Sequence, residues 1–160
     1  MSLSAMNNLS QLTVHPLIPS FHPHLRLALN TSLPQTLSSS SCSLHLTLHL
    51  PDALFLDLSS PSDHFASQAV SFWSLSPKTV DIERPVQPHH TEVAQTLELR
   101  IHEGDGMVDL DIPMHARYLA PNSFGYEGIV LPKDPLTAGW RCRYLGPSLT
   151  LSTFHADMGP

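Results

Sequence analysis

The chain reads as an all-β protein, an antiparallel β-sandwich of about six to seven short strands joined by proline-rich loops. Three observations carry that reading. The stretch SLHLTLHL (43–50) sets Leu44, Leu46, Leu48 and Leu50 against Ser43, His45, Thr47 and His49. This is the period of two required by a sheet with one dry face. Fifteen prolines in 160 residues leave few windows for a long helix. No segment carries a convincing helical stripe of apolar residues.

Along the chain, residues 1–20 form an irregular lead-in rich in Asn, Ser and Leu. HLRLALN (24–30) alternates Leu25, Leu27 and Leu29 with Arg26 and Ala28, which predicts a half-buried strand. TSLPQTLSSSSC is loop by composition. DALFLDL (52–58) fits a short strand or one helical turn, whereas AVSFWSL (69–75) and the core of TLELRIH (97–102) predict strands. SPKTVDIERPVQPHH between them is a proline-broken connection. GDG (104–106) predicts a turn, because Gly beside Asp supplies positive-φ positions. MVDLDIPMHARYLA (107–120) follows as one long strand and GYEGIVLP (125–132) as a further short one. The expected organisation is a lead-in over 1–20, a β-domain over 21–142 and a tail over 143–160.

Composition excludes several partner classes. Charged residues are only 14% of the chain, against roughly 25% in ordinary soluble domains. The net charge is −6 and the eight Lys and Arg form no cluster, so a nucleic-acid footprint is not expected. The N-terminus lacks the basic start and apolar core of a secretory signal. No window approaches the roughly 20 apolar residues that cross a bilayer.

The eleven histidines do not predict a metal site. His45 and His49 share a strand face but would lie about 13 Å apart. His22 and His24 flank Pro23 with no carboxylate near them in sequence, and His89-His90 lie in the connection. Strand-face histidines in place of the scarce Lys and Glu account for the pattern, so neither metal nor cofactor is expected. No catalytic residue emerges either. There is no G-x-S-x-G elbow, EGDGMVD is acidic where a phosphate would sit, and Asp109 and Asp111 share one solvated face. Cys42 and Cys142 are either free thiols or one disulfide; if bridged, they would stabilise by about 4–5 kcal/mol in the chain-entropy account. Asn8-Leu9-Ser10 and Asn30-Thr31-Ser32 are N-glycosylation triplets, usable in a lumen.

DIPMHARYLAP (111–121) is the most distinctive stretch. As a strand it places His115 and Arg117 on the face of Asp109 and Asp111, which predicts an Arg–carboxylate pair on the sheet surface. Tyr118 would then point into the core. A partner-binding role is the alternative.

IPMHARYLAPNSFGYEGIVLP resembles the signature of the PIG-X family, the accessory subunit of glycosylphosphatidylinositol (GPI) mannosyltransferase I. The residues carrying the resemblance are Ile112, Pro113, His115, Arg117, Tyr118 and Pro121, then Pro132 or Pro135, and Trp140 with Cys142. SFHPHLRLAL and CSLHLTLHLPDALFLD resemble its fungal branch, so the likeness spans roughly residues 20–142. The resemblance implies a non-catalytic domain in the endoplasmic reticulum lumen, held at the membrane. It would stabilise the multi-spanning catalytic subunit, which itself transfers the first mannose from dolichol-phosphate-mannose. Pro113, His115, Arg117, Tyr118, Pro121 and Trp140 would bind that partner or support the fold. Family members end in a membrane helix, which RYLGPSLTLSTFHADMGP lacks, and fungal relatives have a longer N-terminal region. These departures read as a chain truncated after Trp140-Arg141-Cys142. Competing readings are an inactive fragment of this kind, a luminal folding factor or a glycan-binding sandwich. Phe72 and Trp73 are the aromatic candidates for the last two, and they point to opposite faces.

Overall fold

Two antiparallel sheets enclose one apolar core. A computed structural model describes residues 12–14, 20–31, 41–57, 61–83, 86, 92–102, 106–118, 129–143 and 150–155. The strands are β1 (Leu12–Val14), β2 (His24–Asn30), β3 (Ser41–Pro51), β4 (Leu54–Leu56), β5 (Val70–Ser76), β6 (Val93–Ile101), β7 (Met107–Ala116), β8 (Leu136–Arg143) and β9 (Thr150–His155). The front sheet runs β1-β2-β7-β4 and the back sheet β5-β6-β3-β8-β9. The predicted all-β antiparallel sandwich is the observed architecture. Among the described residues nine strands are present against the expected six to seven, because β1 and β9 add short edges and β8 carries only a faint stripe.

The alternating leucines build the core through register. On the back sheet Leu44, Leu46 and Leu48 of β3 face Ile101, Leu99 and Leu97 of β6, and Trp140, Ala138 and Leu136 of β8. On the front sheet Leu25 and Leu27 of β2 face Ile112 and Leu110 of β7. All of these are buried. Each fully buried leucine contributes about 1.5–3 kcal/mol of transfer free energy, so one unbroken stripe is enough to fix which face points inward. β8 was legible by the same rule: Leu136, Ala138, Trp140 and Cys142 point in while Thr137, Gly139 and Arg141 do not. The small Ala138 and Gly139 made the stripe faint.

A six-residue helix α1 (Pro61–Ala66), absent from the sequence reading, closes one side. Pro61 is tolerated in its first turn, where its missing N–H has no intrahelical use, and Phe65 is buried against the core beside Trp73. Just past it, Gln68 caps the β7 edge. Its side-chain amide accepts from Asp111 N–H at 2.6 Å and donates to Asp111 C=O at 3.1 Å, imitating a peptide of the strand that is not there. Pro113 lies on the same edge, at the position where β4 has ended, so its missing donor deprives no ladder partner.

Two sequence expectations are corrected. β7 stops at Ala116 rather than running to 120, with one more ladder bond beyond it, from Arg117 N–H to the Ala53 carbonyl. Residues 129–132 are not a strand; Ile129 and Leu131 pack on the core from irregular backbone held by buried Pro132 and Pro135. Of the GDG turn only Gly106 is described, with φ +156° and its carbonyl accepting from Thr31 N–H and Oγ1. Residues 125–128, Pro121 and Asn8 lie outside the described residues.

Candidate functional site on the outer face of the front sheet

The far end of β7 gathers residues from three segments on the solvent side of the front sheet. The chain before β2 continues the β2 pairing, with Ala116 N–H on the Phe21 carbonyl and Met114 N–H on the Pro23 carbonyl. This sets His22 beside His115. On the other flank β4 pairs Phe55 with His115, and Asp57 N–H donates to the Pro113 carbonyl. The His115 ring therefore sits between His22, edge-on at 4.4 Å, and Phe55, stacked at 4.9 Å. Asp57 Oδ2 lies 3.2 Å from His22 Nδ1 and 3.9 Å from His115 Nδ1.

Next to this cluster, Phe21 and Tyr118 pack ring to ring at 5.4 Å, both well exposed. Tyr118 is 76% exposed and so lies outside the core where the sequence placed it. Tyr118 lies two residues beyond the end of β7, where the inside-outside alternation no longer places a side chain in the core. Arg117 keeps to the side of His115 and Phe55 but is covered there. It is buried instead of lying on the surface, with its guanidinium on the Asp81 carbonyl, 3.8 Å from Asp52 Oδ1, and 5.6 Å above the Phe55 ring. The predicted surface pairing of Arg117 with Asp109 or Asp111 does not form. Asp111 instead meets His24 at 3.0 Å and Arg26 at 3.8 Å, and Asp109 stays exposed opposite Ala28.

His22 and His24 thus each have a carboxylate partner, which the sequence reading denied them. Asp57 is 35 residues from His22 and only the fold brings the two together. His45 and His49 act separately, hydrogen-bonded to Ser43 Oγ and Thr96 Oγ1. Burial, reinforced by Arg141 and Arg100 and opposed by Glu98, holds the His45 imidazole below its ordinary pKa.

The other residues singled out in the sequence lie elsewhere in the sandwich. Trp140 is buried opposite Leu44, and Cys42 and Cys142 are register partners on β3 and β8 joined as a disulfide. Asn30 ends β2 half-buried, followed by a buried Thr31. Phe72 and Trp73 do face opposite ways, Phe72 outward under Arg100 and Trp73 toward the core.

The sequence matches the PIG-X / PBN1 family over residues 19–152. The chain belongs to the PIG-X / PBN1 family. The family is one of accessory proteins of GPI biosynthesis. A relative, protein pbn1 of Neurospora crassa, is 29% identical over 126 residues, which is 76% of this chain and 25% of that protein. The chain thus corresponds to about a quarter of that relative's length. No solved structure matches the chain. No helix among the described residues is long and apolar enough to cross a membrane.

Proposed function

We propose that this PIG-X / PBN1 domain is a non-catalytic accessory unit in the endoplasmic reticulum lumen. It stabilises the catalytic subunit of GPI mannosyltransferase I, the enzyme that adds the first mannose to the anchor precursor. The family match across most of the chain carries this reading. Two features support it. The Cys42–Cys142 disulfide suits an oxidising compartment. The family motif also divides into buried residues that hold the fold, Arg117 and Trp140, and a more accessible group, His115 on a strand fixed from both sides and Tyr118 just beyond its end. Exposed aromatic side chains on a rigid element are the usual anchors of a protein interface.

The test is co-purification. In cells lacking the endogenous subunit, this domain in its full-length context is expected to pull down the mannosyltransferase and restore surface-anchored proteins. Failure of both with a folded, correctly located protein would overturn the proposal. A glycan-binding sandwich is the second reading, favoured by the exposed Phe21–Tyr118 pair. It predicts saturable binding of free oligosaccharide by the isolated chain, which the accessory reading does not.

A further inference from the structure

We infer that His22, Asp57 and His115 form a binding site for one divalent transition-metal ion of the zinc class, which ties together three segments of the front sheet. One ligand atom from each residue lies within 4.8 Å of the other two. In a tetrahedral site with bonds of about 2.0–2.1 Å, neighbouring ligand atoms are roughly 3.3 Å apart. The His22–Asp57 separation of 3.2 Å already meets that value, and the 3.9 Å from His115 to Asp57 needs to close by little more than half an ångström. Two imidazoles and one carboxylate are a donor set that zinc accepts, with the fourth position left to water on the solvent side.

The backbone at each ligand is held in place. His22 lies one residue from the Phe21 and Pro23 carbonyls that pair with β7, and its own N–H donates to Ser20 Oγ. Asp57 is fixed by its N–H on Pro113, and the His115 ring is held flat against Phe55. Ligands positioned by rigid strands lose little freedom on binding an ion. The neighbouring His24–Asp111 pair is the internal contrast. It offers one imidazole rather than two, and Arg26 already stands 3.8 Å from its carboxylate. Arg117, which lies over Phe55, is turned to Asp52 and the Asp81 carbonyl.

Titration calorimetry of the metal-free chain with zinc chloride, together with the absorption spectrum of the cobalt(II) form, tests the inference. The expected result is one saturable equivalent, tetrahedral ligand-field bands for cobalt, and a raised melting temperature with zinc. His22→Ala and Asp57→Asn, both at exposed side chains and checked by circular dichroism, should each weaken binding by about tenfold or more, whereas His24→Ala should not. Absence of saturable binding to the wild-type chain would overturn the site. So would equal affinity in His22→Ala and Asp57→Asn, or an equal loss in His24→Ala; either marks an adventitious ion only. None of these readouts depends on the mannosyltransferase.

Discussion

Arg117 and Asp52 face each other at 3.8 Å just past the end of β7, with 3% of the arginine side chain exposed. A guanidinium withdrawn from water persists only when carboxylate, carbonyl and ring partners offset its desolvation. Here these are Asp52, the Asp81 carbonyl and Phe55. Because Phe55 in turn stacks on His115, the arginine supports the outer-face cluster without belonging to it.

Arg117→Ala is therefore expected to destabilise the domain by about 2–4 kcal/mol, since it leaves the largely buried Asp52 carboxylate without its cation. Arg117→Lys should recover little of this, because an ammonium cannot reach two acceptors as a planar fork does. Urea unfolding checks both. A midpoint unchanged in the alanine variant would show that the pair contributes nothing.

The disulfide spans a sequence separation of 100, the condition under which a cross-link restricts the unfolded chain most. Replacing Cys42 and Cys142 together by Ala should cost about 2–5 kcal/mol, read through the fluorescence of the neighbouring buried Trp140. Equal stability of the oxidised and double-alanine proteins would contradict this account.

His45 gives the fold an acid sensitivity. Its folded pKa lies below its unfolded value of about 6.5, so the unfolded chain takes up the proton first. Stability should be unaffected above that pH and fall as pH drops from about 6.5 towards the lower folded pKa. The cause is first the burial of the imidazole and then Arg141 and Arg100 on the flanking strands, with Glu98 opposing them. His45→Gln should flatten the stability profile across this window. A profile of unchanged slope would assign the effect elsewhere.

The family motif should separate under mutation. Tyr118→Ala, at a side chain that buries little, is expected to change stability by no more than about 0.5 kcal/mol. Trp140→Ala removes a fully buried ring and should cost about 3–5 kcal/mol. Thermal melts of the two variants distinguish surface from core within one signature.

The sheets were legible because their information is local. A leucine at every second position in β2 and β3 identifies strand and buried face without any knowledge of the partner strand. The ends were not local. β7 stops at Ala116, one ladder bond short of where its pairing with the segment before β4 gives out, and no pattern in HARYLA marks that place. The four-residue difference leaves Tyr118 outside the core, since alternation holds only while the strand continues, and the cover over Arg117 comes from Asp52 and Asp81, far from it in sequence. The His22–Asp57–His115 cluster was likewise invisible. Its members come from the approach to β2, the exit of β4 and the body of β7, and only cross-strand register makes them neighbours. Helix α1 gave too short a periodic run to be recognised against its proline-rich surroundings.

On the proposed function, the surface at the end of β7 contacts the mannosyltransferase while the buried motif residues hold the sandwich. The most direct measurement is quantitative co-purification of the catalytic subunit with the subunit carrying Phe21→Ala and Tyr118→Ala together, in cells lacking the endogenous form. These two rings are exposed and lie beside, not within, the His22–Asp57–His115 cluster. The account predicts that the variant accumulates to wild-type level yet recovers the catalytic subunit at least about tenfold less well, as loss of two interface anchors implies. Recovery equal to wild type, with surface-anchored proteins fully restored, would contradict it.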